Sequence, residues 1–268
     1  RRRIVKIRSG RKVNKMKAGK KRKPVIVCIT SGKGGVGKTF LAVNLAAALA
    51  KKGKKILVVD CDFGLANVDI MLGIRPVRTM KDVVFGDATL QDVIISTPGG
   101  FDLVPACSGV RDMAQLLYER IERIKEMLLS LENYDLILLD TGAGMTEVVL
   151  QFNLLADRNI VVINRELTCL TDAYAMIKVL FQLFGRDAFD IIVNSSLDEK
   201  EGDRIFRHLD SISRRFLGFP LTYLGSLVHD ENVPRSIMNQ ELLVTAAPHS
   251  KNARSCVSMA GVLSRWRV

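Results

Sequence analysis

Apolar residues in this chain follow two patterns that take turns along its length. Short, nearly continuous apolar runs alternate with longer stretches in which apolar positions recur every three or four residues. The runs Val25–Thr30, Ile56–Asp60, Phe101–Pro105, Tyr134–Asp140, Asn159–Asn164, Phe189–Asn194 and Leu221–Leu227 predict strands. The periodic stretches predict helices over Thr39–Lys51, Arg111–Leu131, Leu170–Phe184, Lys200–Leu217 and Pro248–Trp266. Leu41, Leu45, Ala48 and Leu49 share one face of the first helix, and Lys51-Lys52-Gly53 stops it. Leu116, Leu117, Ile121, Ile124, Leu128 and Leu131 stand at core spacing in the second. The last carries Ala253, Cys256, Val257, Ala260, Leu263 and Trp266 on one face, which predicts packing on a core ahead of membrane insertion. Strands apolar on both faces need cover on both sides. The alternation therefore predicts an α/β fold: a single doubly wound, mostly parallel sheet with helices on both faces. No apolar run approaches the roughly 18 residues that read as a membrane helix.

Charge changes the picture at one end. Residues 1–23 hold 13 Lys/Arg and no Asp/Glu, whereas the rest of the chain holds 27 basic against 28 acidic residues. The chain thus divides into a basic, flexible arm over 1–23 and one domain over 24–268. The arm reads either as a solvated tail or as an arm for an acidic partner, anionic lipid or nucleic acid. It has no aromatic residue for base stacking, which weighs against single-strand recognition. It also lacks the apolar segment of a secretory signal. The five cysteines, Cys28, Cys61, Cys107, Cys169 and Cys256, form no C-x-x-C pair. That spacing speaks against a disulfide framework or zinc site and for a reducing, cytoplasmic setting. Peripheral attachment at the inner face of the cell membrane stays open, through the arm or the last helix.

Candidate chemistry concentrates after the first strand. Gly32, Gly37, Lys38 and Thr39 fit the phosphate-loop spacing G-x-x-x-x-G-K-[ST], between a predicted strand and a predicted helix. In such a loop backbone N–H groups face phosphate oxygens and the helix N-terminus adds partial positive charge. Lys38 would reach the β- and γ-phosphates, and the Thr39 hydroxyl would bind Mg²⁺. Asp140 ends the apolar strand LILLD, the position from which a carboxylate holds Mg²⁺ directly or through water. Asp60 and Asp62 close another strand two residues apart, so in extended chain they point the same way.

The whole string Lys33-Gly34-Gly35-Val36-Gly37-Lys38-Thr39 resembles the deviant Walker A motif of the MinD/ParA family, a phosphate-loop NTPase type. The resemblance implies ATP and Mg²⁺ as cofactors and a homodimer that sandwiches ATP, with Lys33 reaching across the interface to the partner's nucleotide. It implies catalytic roles for Lys33, Lys38 and Asp62, the last orienting the attacking water from switch I. It implies a nucleotide cradle of Gly32, Lys33, Gly34, Gly35, Val36, Gly37, Lys38 and Thr39, with Thr39, Asp62 and Asp140 around the metal. Asn194 and Asp230 match the family's adenine contacts, and Asp60 is left to support the loop or the metal's outer shell. Turnover is expected to be slow and partner-stimulated.

Accessory motifs narrow the branch. The strings Asp62-Phe63-Gly64-Leu65-Ala66-Asn67-Val68-Asp69, Asp140-Thr141-Gly142-Ala143-Gly144 and Thr171-Asp172-Ala173-Tyr174-Ala175-Met176-Ile177-Lys178 resemble the flagellar FlhG/FleN/YlxH-type ATPases. That resemblance implies control of flagellar number or placement, with an FlhF-type GTPase and flagellar C-ring or regulator proteins as partners. Two features depart from the branch: Arg165-Glu166-Leu167 replaces a Pro-Glu-Pro-like segment, and the arm has no Gln for the motif that acts on FlhF. The alternative is a ParA-type partition or MinD-type division-site ATPase that uses DNA or membrane as a surface. A nucleotide-regulated adaptor with negligible hydrolysis is a third reading, opposed by the intact Asp62 and Asp140.

Overall fold

The computed structural model describes residues 23–64, 67–106 and 113–267, with the backbone alone over 113–120. The arm up to Arg22, Leu65-Ala66 of the switch I string, Cys107 and the predicted start of the second long helix lie outside the described residues. Eight strands form one sheet: β1 (Val25–Thr30), β2 (Ile56–Cys61), β3 (Ile95–Ser96), β4 (Asp102–Val104), β5 (Leu136–Thr141), β6 (Arg158–Ile163), β7 (Phe189–Ser196) and β8 (Thr222–Val228). Their order is β3-β4-β2-β5-β1-β6-β7-β8, and every pairing is parallel except β3 with β4. The predicted doubly wound α/β class is the observed one. β1 lies inside the sheet between β5 and β6, so the loop after it opens at the carboxyl end of the strands, where parallel sheets bind ligands.

The long helices follow the periodic stretches: α1 (Lys38–Lys51), α5 (Met113–Leu129), α7 (Leu167–Phe184), α8 (Glu199–Phe216) and α11 (Lys251–Leu263). α1 packs on α11 on one face, and Leu41, Leu45 and Leu49 of α1 have no exposed surface. Truncating one of them to Ala would cost about 2–5 kcal/mol. On the other face α6 (Glu147–Leu155) and α7 meet at one hydroxyl: Thr30 Oγ1 accepts from Asn153 Nδ2 at 3.2 Å and contacts Met176 Sδ at 3.5 Å. α7 corrects one expectation: its 18 residues reach a mean hydropathy of 1.3, long and apolar enough to cross a membrane. Its buried stripe of Ala173, Met176, Ile177 and Leu180 is packed into the protein core. In α11, Ala253, Cys256, Ala260 and Leu263 are buried as predicted, while Val257 is exposed. Trp266 lies beyond the helix, its ring under the Arg158 guanidinium at 4.4 Å.

Several short elements have no counterpart in the periodicity. They are α2 (Val68–Met71), α3 (Met80–Phe85), α4 (Leu90–Val93), α6, α9 (Asn232–Met238), α10 (Leu243–Ala246) and the two-residue strand β3, whereas β4 is the run predicted over Phe101–Pro105. One or two turns carry too few apolar positions to establish a period. Local chemistry marks two of them: Thr79 with Asp82 and Thr89 with Asp92 form capping boxes at the starts of α3 and α4.

Candidate functional site

The loop after β1 is shaped by positions where no side chain fits. A Cβ on Gly32 would stand 2.4 Å from the backbone carbonyl carbon of Asp172, so α7 is pressed against the loop at that point. Gly35 and Gly37 hold φ of 74° and 95°, in the left-handed region that glycine enters without penalty. Gly37 is also the N-cap of α1, and it has no side chain to satisfy the first N–H groups of the helix. Those donors face the loop, an arrangement suited to an anion. Lys38 is buried, and its Nζ donates to Ser31 Oγ at 2.8 Å, which in turn donates to the Lys33 carbonyl at 2.7 Å. Burial lowers the pKa of the Lys38 amine, against the pull of Asp140 and Asp62. Gly144 N donates to Ser31 O at 3.0 Å and joins the loop after β5 to the phosphate loop.

Sheet register brings carboxylates together. β2 and β5 pair so that Asp60 stands beside Asp140, and β1 places Ile29 on Asp140's other side. Asp140 is 1% exposed, and burial pushes its carboxyl up to about 7, with the Asp62 charge adding and the Thr39 hydroxyl and Lys38 charge opposing. Its Oδ1 is buried without a hydrogen-bond partner, which leaves a lone acceptor next to a hydroxyl and an ammonium. That orphaned oxygen, with Thr39 and Asp62 beside it, fits a divalent cation that takes its remaining ligands from phosphate and water. Among the described residues no cluster of three His, Cys, Asp or Glu side chains could hold an ion unaided.

The two aspartates at the end of β2 differ in burial and in partners. Asp60 turns inward, and its carboxylate accepts from Asp62 N at 3.0 Å and from Asn67 N and Val68 N at 3.3 Å. It ties the loop to the start of α2, the supporting place the sequence suggested for it. Burial, reinforced by Asp140, raises its pKa well above the usual range. Asp62 is half-buried and faces the loop after β5, where a Cβ on Gly142 would lie 3.5 Å from its Oδ1.

Lys33 stands at the outer rim. Its side chain is 38% exposed, pairs with the Glu166 carboxylate and donates to Thr168 Oγ1 at 3.1 Å. Asn164 steadies this partner: Asn164 Oδ1 accepts from Glu166 N at 3.0 Å and Asn164 Nδ2 donates to Glu166 Oε1 at 3.2 Å. The hydrogen bond to Glu166 raises the Lys33 pKa and lowers that of Glu166. Sequence reasoning noted Glu166 only as part of a departing segment and missed it as a site residue. The available signal was its place at the end of a predicted strand, where other site residues also lie.

Asn194 and Asp230 behave differently. Asn194 reaches the phosphate loop, its Nδ2 donating to the Val36 carbonyl at 2.7 Å. Asp230 caps its own segment instead, with Oδ1 accepting from Asn232 N at 2.9 Å and Asn232 Nδ2 at 2.8 Å.

This geometry agrees with the comparisons to known proteins. Residues 24–188 match a family model described as an AAA domain. The antiactivator FleN of Pseudomonas aeruginosa is 37% identical over 90% of this chain and 86% of its own. The flagellum site-determining protein YlxH of Helicobacter pylori is 31% identical over 88% and 81%. Among solved structures, the septum site-determining protein MinD of Pyrococcus horikoshii, complexed with Mg-ADP, superposes with a TM-score of 0.77 at 28% identity, covering 90% of this chain and 96% of that one. MinD in the MinC:MinD complex of Aquifex aeolicus does so with 0.70 at 27%, covering 91% and 97%. The chain belongs to the MinD/ParA family of deviant Walker A phosphate-loop proteins, in the flagellar branch that contains FleN and YlxH.

Proposed function

We propose that this protein is an Mg-ATP-dependent dimerising ATPase that acts as a switch in the control of flagellar number and placement. The observation that carries the reading is the division of labour between two lysines of one loop. Lys38 lies buried in the floor with Thr39 and Asp140, while Lys33 stands exposed at the rim, turned away onto Glu166. A lysine so placed is free to serve a nucleotide held by a second copy.

In this account the N–H groups of Gly34 through Thr39 cradle the β- and γ-phosphates, and Lys38 neutralises the charge between them. Thr39, Asp140 and Asp62 would hold Mg²⁺, which when bound supplies charge neutralisation across the phosphates. Asp62 orients the attacking water, and phosphoryl transfer leaves little else for the protein to do than positioning and charge stabilisation. Asn194 and Asp230 receive the adenine. Lys33 leaves Glu166 to reach the partner's nucleotide, and hydrolysis releases the two copies. An FlhF-type GTPase and flagellar C-ring or regulator proteins are the proposed partners, in the cytoplasm, with the inner face of the cell membrane as a peripheral site.

Light scattering tests the switch directly. With Mg-ADP the mass of one copy is expected, and with Mg²⁺ and a non-hydrolysable ATP analogue the mass of two. A mass unaffected by nucleotide removes the dimer sandwich. The 13 basic residues of 1–23 favour a second reading, a ParA-type partition ATPase bound to DNA. Salt-dependent DNA retention that disappears when residues 1–23 are removed would establish it.

A further inference from the structure

Asn194 sits where the ladder between β7 and β8 is interrupted, in a register irregularity between Val193 and Ser196. The next residue, Ser195, has φ 57°, and only one other non-glycine among the described residues, Gln240, shares a positive value. A non-glycine residue keeps this conformation when its surroundings hold it there. Here the Ser195 N–H donates to the residue before it, Asn194 Oδ1, at 2.9 Å. The oxygen end of the amide is thereby fixed, and the nitrogen end points the other way, to Val36 O at 2.7 Å. This bond links segments 158 residues apart in the chain, the end of β7 and the loop after β1.

Gly37 makes room for it. A Cβ there would stand 2.3 Å from Asn194 Nδ2, so the amide occupies the space that any other residue would fill. The bonded carbonyl and the Gly37 N–H belong to one planar peptide with its C=O and N–H opposed. Tying the Val36 carbonyl to Asn194 therefore turns the Gly37 N–H away from Asn194. That N–H is one of the phosphate-cradling donors of a phosphate loop.

We propose that Asn194 is a positioning residue for phosphate: it locks the Val36–Gly37 peptide so that the Gly37 N–H is presented to the nucleotide's phosphate chain, whatever contact it also makes with the base. This rests on the reading of the loop as an Mg-ATP site. It predicts that a side chain at the base end of the site governs binding of a ligand without a base.

The test measures calorimetric binding of Mg-ATP and of Mg-tripolyphosphate to the full chain, in wild type, Asn194→Ala and Asp230→Ala. Asn194→Ala should weaken tripolyphosphate about tenfold, the value of one lost hydrogen bond plus the loop order it maintains. Asp230→Ala, which lacks the tie to Val36, should weaken ATP and leave tripolyphosphate unchanged. Asn194→Ala that loses ATP affinity but binds tripolyphosphate like wild type overturns the proposal and leaves the nucleotide site standing. Wild type that binds neither ligand overturns both.

Amide exchange of residues 33–39 in nucleotide-free protein gives a readout independent of any ligand. Asn194→Asp keeps the side chain's shape and its acceptor for Ser195 N–H but removes the donor. Both variants should exchange roughly tenfold faster across the loop, because closure depends on one bond of that worth. Exchange equal to wild type in a folded Asn194→Asp protein refutes the brace.

Discussion

The floor and the rim of the phosphate loop use the same residue type in opposite environments. Lys38 is nearly sealed from solvent, its pKa lowered by burial, and bonded to a neutral hydroxyl. Lys33 is in water, its pKa raised by Glu166, and paired with a carboxylate from another element. A buried ammonium is costly unless paired, so the floor is stable only around an anion or the carboxylates near it. An exposed pair costs little to break, so the rim is built to exchange partners. The floor thus favours a fixed chemical role and the rim a reversible one.

The largest expected effect is on the floor. Lys38→Ala should lower Mg-ATP affinity by roughly 100-fold or more, the worth of two charge-assisted hydrogen bonds, as read by calorimetry. If that variant binds ATP like wild type, Lys38 does not face phosphate and the comparison collapses.

Asp140→Asn comes next, and its sign depends on pH. The Asp140 carboxyl is raised to about 7, so between the ordinary carboxylate range and that value the folded protein keeps a proton the unfolded chain releases. Its contribution to stability is complete below about pH 4 and is lost as pH rises through 7. Asn, neutral throughout, should make the nucleotide-free protein more stable than wild type at pH 8 and no more stable at pH 4. Thermal melts at the two pH values check this. Mg²⁺ affinity should fall about 10–100-fold in the same variant, and in wild type it should strengthen as pH rises through 7.

The rim should give a smaller effect on binding and a complete one on assembly. Lys33→Ala should keep Mg-ADP affinity within about threefold while abolishing the ATP-dependent doubling of mass. Normal dimerisation of Lys33→Ala with the ATP analogue would sink the sandwich. The smallest effect belongs to Glu166→Gln. The melting temperature should not change measurably, since both partners are exposed, while dimers should form at lower protein concentration because Lys33 is already released. A large drop in melting temperature would show the pair to be structural.

The floor was legible in the sequence because its parts are local. Loop, cap and first turn lie within Gly32–Thr39, and the geometry of a phosphate loop fixes residue types at fixed spacing. Asp140 was legible for a related reason, since a carboxylate after four buried apolar residues has few places to go but the end of a sheet. Asp62 could be named but the hold on Asp60 could not, because that depends on N–H groups from Asn67 and Val68 turning back onto the Asp60 carboxylate. Glu166 could not be found from spacing at all, being 133 residues from the lysine it meets.

Short-range sterics and solvent therefore account for the features readable along the chain: buried strands, amphipathic helices, their alternation into a doubly wound sheet, and the glycine-shaped anion cradle. The tertiary structure decided which distant groups share a place. Strand order and register set Asp60 beside Asp140, brought α7 against Gly32, laid Glu166 under Lys33 and carried Asn194 to the Val36 carbonyl. Such pairings depend on how strands stack and cross, and on the low-dielectric interior that results. No spacing along the chain encodes them, because the energies that select them exist only once the sheet has closed around its core.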